Sequence, residues 1–333
     1  MRAKKFLVGL ALTLLILTLA GFILSLLVGP VKTTASDLFA AFRGQERYQD
    51  IFFRLRLPRA IISFLVGASL GLAGAILQGY FRNSLADPFI LGSSSGAALG
   101  AVLAAELGFK LVLPGFSSQG IMALITSFVL VTVVYLISER RRFRTSEALL
   151  LTGIAAGALA SAITSFLIFR RPDAYEQAVF WLLGSFSLAG WSQVWVILPY
   201  VLLSFAACYL LAPQMNLLAL GDEVATSLGC PVKSTRRTFL LVSTILASFS
   251  VSVAGIIGFV GLITPHTIRL LLGPDHRRLF VYSAWAGGVF LLYSDFLART
   301  IFSPAEIPVG VITAAFGAPF FIYLLNRRGS REI

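Results

Sequence analysis

Apolar residues run through most of this chain in unbroken stretches, and polar residues are confined to the gaps between them. Ten stretches approach or reach the length of about 20 residues that a membrane-crossing helix needs. They are 6–28, 57–80, 90–107, 118–138, 147–169, 192–212, 236–256, 258–272, 279–298 and 307–326. A helix that is apolar on every face is surrounded by protein or by lipid, not by water. The pattern therefore predicts an all-α integral membrane protein of about ten transmembrane helices in one domain, residues 1–333. The first stretch follows Arg2, Lys4 and Lys5 and exceeds the ~7–15-residue core of a cleaved signal peptide, so it predicts a retained helix. The eighth is short and carries Pro265 and His266, which predicts a partial crossing.

The gaps are informative. Residues 29–56 form a long loop in which Ser36–Arg43, with Leu38, Phe39 and Phe42, predicts a short surface helix. Residues 170–191 hold Tyr175, Phe180, Trp181, Phe186 and Trp191, a density that predicts a helix lying at the membrane interface. Between the sixth and seventh spans, residues 214–229 are too polar to span. There Leu217, Leu220, Val224 and Leu228 fall on one helical stripe, interrupted by Gly221 and closed by Gly229 and Pro231. Such a segment docks on a partner protein or lies on lipid; Asp222 and Glu223 make it a poor match for anionic lipid. Small residues also recur at helical spacing: Gly67, Gly71 and Ala75; Gly92, Gly96 and Gly100; Gly153 and Gly157. Each set allows close helix packing, and the third is also a candidate lining for a translocation path.

Composition agrees, with 57% hydrophobic and 13% charged residues against the roughly 25% charged of a soluble domain. The net charge of +12 comes from short clusters between apolar runs, with no stripe of interleaved aromatics, so nucleic acid is not an expected partner. Of the 27 basic residues, 17 fall on the side shared with the termini, which predicts that both termini are cytoplasmic. The other side holds ten, more than orientation alone explains, and seven of these fall within residues 29–59 or at Arg299.

Little in the chain looks like chemistry. It has no Gly-x-x-x-x-Gly-Lys-[Ser/Thr] motif, nucleophile elbow or His-Glu-x-x-His. His266 and His276 lack carboxylate or thiol companions at ligand spacing, and Cys208 and Cys230 make no disulfide framework. No catalytic residue, cofactor or metal is expected, so any work done with ATP needs a second polypeptide. Asp295 and Arg299, at i and i+4, neutralise each other on one helix face or leave Arg299 for a partner. Thr145 and Ser146 follow four arginines between Arg140 and Arg144 and can cap the fifth span. An ion-coupled secondary transporter is the rival class, but it would want ionisable groups near the midplane, which the spans hardly offer.

Several blocks in order carry a family resemblance: Arg56-Leu-Pro-Arg59, Gly67 to Gln78, Arg82-Asn-Ser-Leu-Ala-Asp-Pro88, Ile90-Leu-Gly92 and Trp181-Leu-Leu-Gly-Ser185. They continue with Leu220-Gly-Asp222, Gly258 to His266, Asp275-His-Arg277 and Pro308-Val-Gly310. Together they resemble the FecCD/BtuC permeases of ABC importers for ferric siderophores, haem and cobalamin; Ser84 departs from the usual proline. The resemblance implies a homodimeric type II importer in a prokaryotic plasma membrane, with lipid around it and a ferric siderophore as the first expectation for cargo. It implies two cytoplasmic ATPase subunits docked on residues 214–229, through Leu217, Leu220, Gly221, Asp222, Val224 and Leu228. It implies an extracytoplasmic substrate-binding protein docked on Arg56, Arg59 and Arg299. It also implies a cytoplasmic gate of Thr145, Ser146, Asn83 and Leu85, below which Gly153 and Gly157 line the path and let the fifth helix approach its mate.

Overall fold

The computed structural model describes residues 2–111, 113–140, 146–170 and 181–329. Among them every regular element is a helix, apart from one isolated bridge between Leu113 and Phe116. In chain order these are α1 (Arg2–Leu27), α2 (Ala35–Phe42) and α3 (Glu46–Gln49). A π-helical turn, Asp50–Arg56, leads into α4 (Leu57–Tyr80). Then follow α5 (Ser93–Glu106), α6 (Ser118–Arg140), α7 (Ser146–Arg170) and α8 (Trp191–Ala219). The rest are α9 (Asp222–Ser227), α10 (Val232–Ala254), α11 (Val260–Leu272), α12 (His276–Ala298) and α13 (Val309–Gly329).

Among the described residues, seven helices are long and apolar enough to cross a membrane, while α11 and the apolar part of α13 are shorter. With the 14-residue α5, all ten expected spans are helices. The largest boundary change is at α8, which runs through Pro213 to Ala219 instead of stopping near 212. The chain also folds the loop helix as expected: Thr34 caps α2, accepting from the Asp37 N–H while the Asp37 carboxylate accepts from the Thr34 N–H at 2.8 Å. The expectation for 170–191 fares differently. Tyr175 and Phe180 lie outside the described residues, Phe186 is buried in the core, and Trp191 opens α8. Its indole N–H donates to the Phe53 carbonyl at 2.7 Å, tying α8 to the turn before α4.

Helix α4 is the axis of the fold, buried along most of its length and packed against α8, α10, α11 and α12. Glycine makes that possible. A methyl group at Gly67 or Gly71 would overlap the carbonyl oxygens of Gly287 and Ser283 on α12, and one at Gly74 would overlap that of Gly261 on α11. The second glycine set works likewise, seating Gly96 and Gly100 against α6. Helix α1 leans on α12, where Trp285 Nε1 donates to Thr18 Oγ1 at 2.8 Å, but leaves Leu12, Leu15, Ile16, Leu19 and Ile23 outward. An aliphatic face of that kind fits hydrocarbon.

The eighth span is broken, as its sequence predicts. The chain is unwound at 255–259, with Gly255 at φ +72° and Phe259 at φ +69°. The last carbonyl of the preceding helix α10 finds a protein partner there: Ser185 N–H donates to Ala254 O at 2.9 Å.

Candidate functional site

The end of the bundle that carries α9 holds the first candidate surface. The sequence reads 214–229 as one amphipathic element; the structure divides it. Leu217 lies in the last turn of α8 and packs on the core beside Met215 and Leu218. Gly221, at φ +119°, turns the chain out of the helix, and α9 follows. Within α9, Ala225 is buried while Val224 is 46% exposed; Leu220 and Leu228 on either side are 63% and 59% exposed. Three aliphatic side chains thus stand outward at the tip of a short loop. Leu217 stands apart from these three, because the α8 extension turns it inward.

Asp222 has a different occupation. Its Oδ1 accepts from Arg82 Nη2 at 2.6 Å and from Arg236 Nη2 at 2.7 Å. Arg82 follows α4 and also donates through Nε to Leu218 O at 3.0 Å. Arg236 sits in the first turns of α10, with its guanidinium over the Tyr80 ring. These groups line a cleft of about 1280 Å³ between the ends of α4, α6, α7 and α10.

The expected gate residues are partly visible. Thr145 lies outside the described residues, and Ser146 is the first residue of α7. Asn83 Oδ1 accepts from the Leu85 N–H at 2.9 Å, so its amide shapes the turn, while Leu85 is 38% exposed. Gly153 and Gly157 pack within the chain. They are buried inside the chain, Gly153 against the backbone of Ile90 and Leu91 and Gly157 against Gly92 and Ser95. The outward face of α7 is instead aliphatic and aromatic, with Leu151, Ile154, Leu159, Ile163 and Phe166.

At the opposite end, the three arginines expected to meet an external partner are held by the chain itself. Arg59 forms ion pairs with Asp295 at 2.8 Å and Glu306 at 2.9 Å. Arg56 donates to the Leu26 and Val31 carbonyls and to Thr33 Oγ1, and Arg299 donates to Ser25 O at 2.7 Å. Arg56 and Arg299 are only 6% and 3% exposed. In this conformation the three arginines form an internal brace joining α1, α4 and α12. The Asp295–Arg299 pair is real but loose at 3.8 Å; the carboxylate belongs chiefly to Arg59. Arg54, with its side chain 77% exposed, is an accessible cation at this end.

His266 and His276 are both buried. Asn216 Oδ1 meets His276 Nδ1 at 2.7 Å and accepts from its backbone N–H at 2.9 Å, which ties α8 to the start of α12. No group of three or more potential metal ligands occurs among the described residues.

An aliphatic-tipped loop below ten packed helices is the geometry that the sequence motifs imply; the two-arginine clamp at its root comes from the structure alone. The sequence model of the FecCD transport family matches residues 16–327. The chain belongs to the FecCD transport family. Among family relatives, the cobalamin import system permease of Halobacterium salinarum is 42% identical over 304 residues, covering 91% of this chain and 81% of that protein. The iron(3+)-hydroxamate import system permease of Bacillus subtilis is 38% identical over 341 residues, covering 98% of both. A solved inward-facing structure of a metal-chelate type ABC transporter superposes with a TM-score of 0.85 at 32% identity, over 97% of this chain and 99% of that one. As a FecCD chain this protein is a multi-pass membrane permease of the ABC-importer class. Sequence reading missed two features of the site, the buried brace and the Asp222 clamp. Only the presence of Arg82 and Asp222 in separate family-like blocks pointed toward the latter.

Proposed function

We propose that two copies of this chain form the translocation unit of an importer that carries a metal chelate, a ferric siderophore first, into the cytoplasm. The exposed triad Leu220, Val224 and Leu228 on and beside α9 carries this reading, because aliphatic side chains at a polar loop tip call for a protein partner. That partner is an ATPase subunit, one for each copy, and the α9 end is the cytoplasmic one. An extracytoplasmic binding protein delivers cargo to the opposite end; its docking there uses accessible charge such as Arg54, or requires Arg59 to exchange Glu306 for a carboxylate of the partner. Transport is alternating access: ATP binding favours one arrangement of the ATPase pair, and α9 carries that preference into the bundle. The chain itself hydrolyses nothing.

Leu220→Asp with Val224→Asp tests the coupling surface. Both side chains point outward, so the permease should fold normally, while ATPase co-purification should fall about a hundredfold with loss of contacts worth about 1–2 kcal/mol each. Full substrate-stimulated ATP hydrolysis by the double variant in liposomes would refute the assignment. A gate at the start of α7 brings the two copies of Ser146 together when closed. Ser146→Cys should then cross-link the pair in one nucleotide state and block transport, which needs Cα atoms within roughly 7 Å. Absence of the cross-link in every state would remove Ser146 from the gate.

A further inference from the structure

Asp222 opens α9 without serving it. Gly221 is the helix N-cap and offers no side chain, and the Asp222 carboxylate turns away from the exposed Leu220, Val224 and Leu228 toward two arginines from other parts of the chain. Both arginines hold a second group. Arg82 reaches the Leu218 carbonyl at the end of α8, and Arg236 reaches the Tyr80 carbonyl at the end of α4 at 3.3 Å. One carboxylate oxygen therefore joins the α9 loop to α8, α4 and α10. Arg82 is also held in the left-handed region at φ +50°, a conformation that L side chains rarely adopt without support. It immediately precedes Asn83 and lies three residues before Leu85.

We infer that Asp222 is a positioning residue that makes the α9 loop, Arg82 and the turn bearing Asn83 and Leu85 move as one body. Displacement of α9 is then transmitted to the end of α4 through charge-assisted hydrogen bonds rather than through the flexible glycine at 221. The inference rests on the ATPase-coupled reading of α9 and adds the element that relays its motion. Neither arginine belongs to the exposed aliphatic triad, so loss of the relay is separable from loss of the partner.

The test uses the full permease reconstituted with its ATPase and binding protein in liposomes. Binding of the ATPase, ATP hydrolysis and uptake of a ferric hydroxamate or cobalamin are measured side by side. Arg82→Gln and Asp222→Asn should each leave ATPase binding near wild type and lower uptake per ATP hydrolysed about tenfold, within the usual range of coupling between sites. The double variant should lose less than the two single losses combined, because both break the Arg82–Asp222 contact. Arg82→Lys, which keeps the charge, should recover part of the loss. Equal uptake per ATP in the wild type and both single variants would overturn the relay. So would a weakened ATPase affinity in Asp222→Asn with Arg82→Gln unaffected, because Asp222 would then be a direct partner contact. A wild-type permease that binds no ATPase would overturn the underlying reading instead, and with it the relay. Monodisperse elution of each variant guards against a folding defect, and Arg236→Gln supplies an independent break of the same clamp.

Discussion

Gly74→Leu is expected to yield no folded permease. The glycine sits where α4 meets α11, and any β-carbon there would overlap the Gly261 carbonyl. Overpacking costs about 1–3 kcal/mol when neighbouring side chains can shift, and more than that is expected where the obstacle is backbone. Helix α11 has little freedom to retreat. Pro88 and the Leu70 carbonyl both crowd its Gly261, and the end of α10 before the unwound segment is bonded into the bundle through Ala254. The check is size-exclusion behaviour and thermal unfolding in detergent, with Gly9→Leu as the control. Gly9 lies on α1 with nothing within 4 Å of its would-be β-carbon, so that variant should behave as wild type. An unchanged melting temperature for Gly74→Leu would mean that α4 and α11 do not meet as described.

Asp295→Ala is expected to cost about 3–5 kcal/mol, the usual penalty for leaving a buried charge without its partner. The carboxylate is 1% exposed and receives three hydrogen bonds from Arg59, with Arg299 close behind. Its removal leaves two cations crowded at one end of α12. Glu306→Ala is the comparison, because Glu306 also pairs with Arg59 but its side chain is 30% exposed; that change should cost about 1 kcal/mol or less. Thermal unfolding of the two variants in one detergent measures the contrast. Equal, small losses would mean that the brace is solvated and does not hold α4 to α12.

The helices were legible because membrane burial writes itself along the chain as uninterrupted apolar runs. The end of α8 was not, since Pro213 looks like a stop yet sits inside a helix that continues to Ala219. The small-residue stripes announced close packing, but spacing alone does not name the surface they meet. Gly153 and Gly157 turn toward residues 90–95 of their own chain, which no periodicity could reveal. The same limit explains the arginines. Asp295 has Arg299 four residues away, but its stronger partner, Arg59, is 236 positions distant. Local spacing finds the first and is blind to the second. Asp222 was legible as part of an amphipathic segment, while its two arginines become visible only when α4, α8 and α10 end at the same place.

The central claim is that this chain moves its cargo only when a separate ATPase drives it. The direct measurement is uptake of ferric hydroxamate and of cobalamin into proteoliposomes holding the purified permease, with binding protein outside and the ATPase and ATP present or omitted. Uptake of one chelate that requires both ATPase and ATP, and persists when proton and sodium gradients are collapsed, is the predicted result. Uptake without the ATPase, driven by an ion gradient, would contradict it.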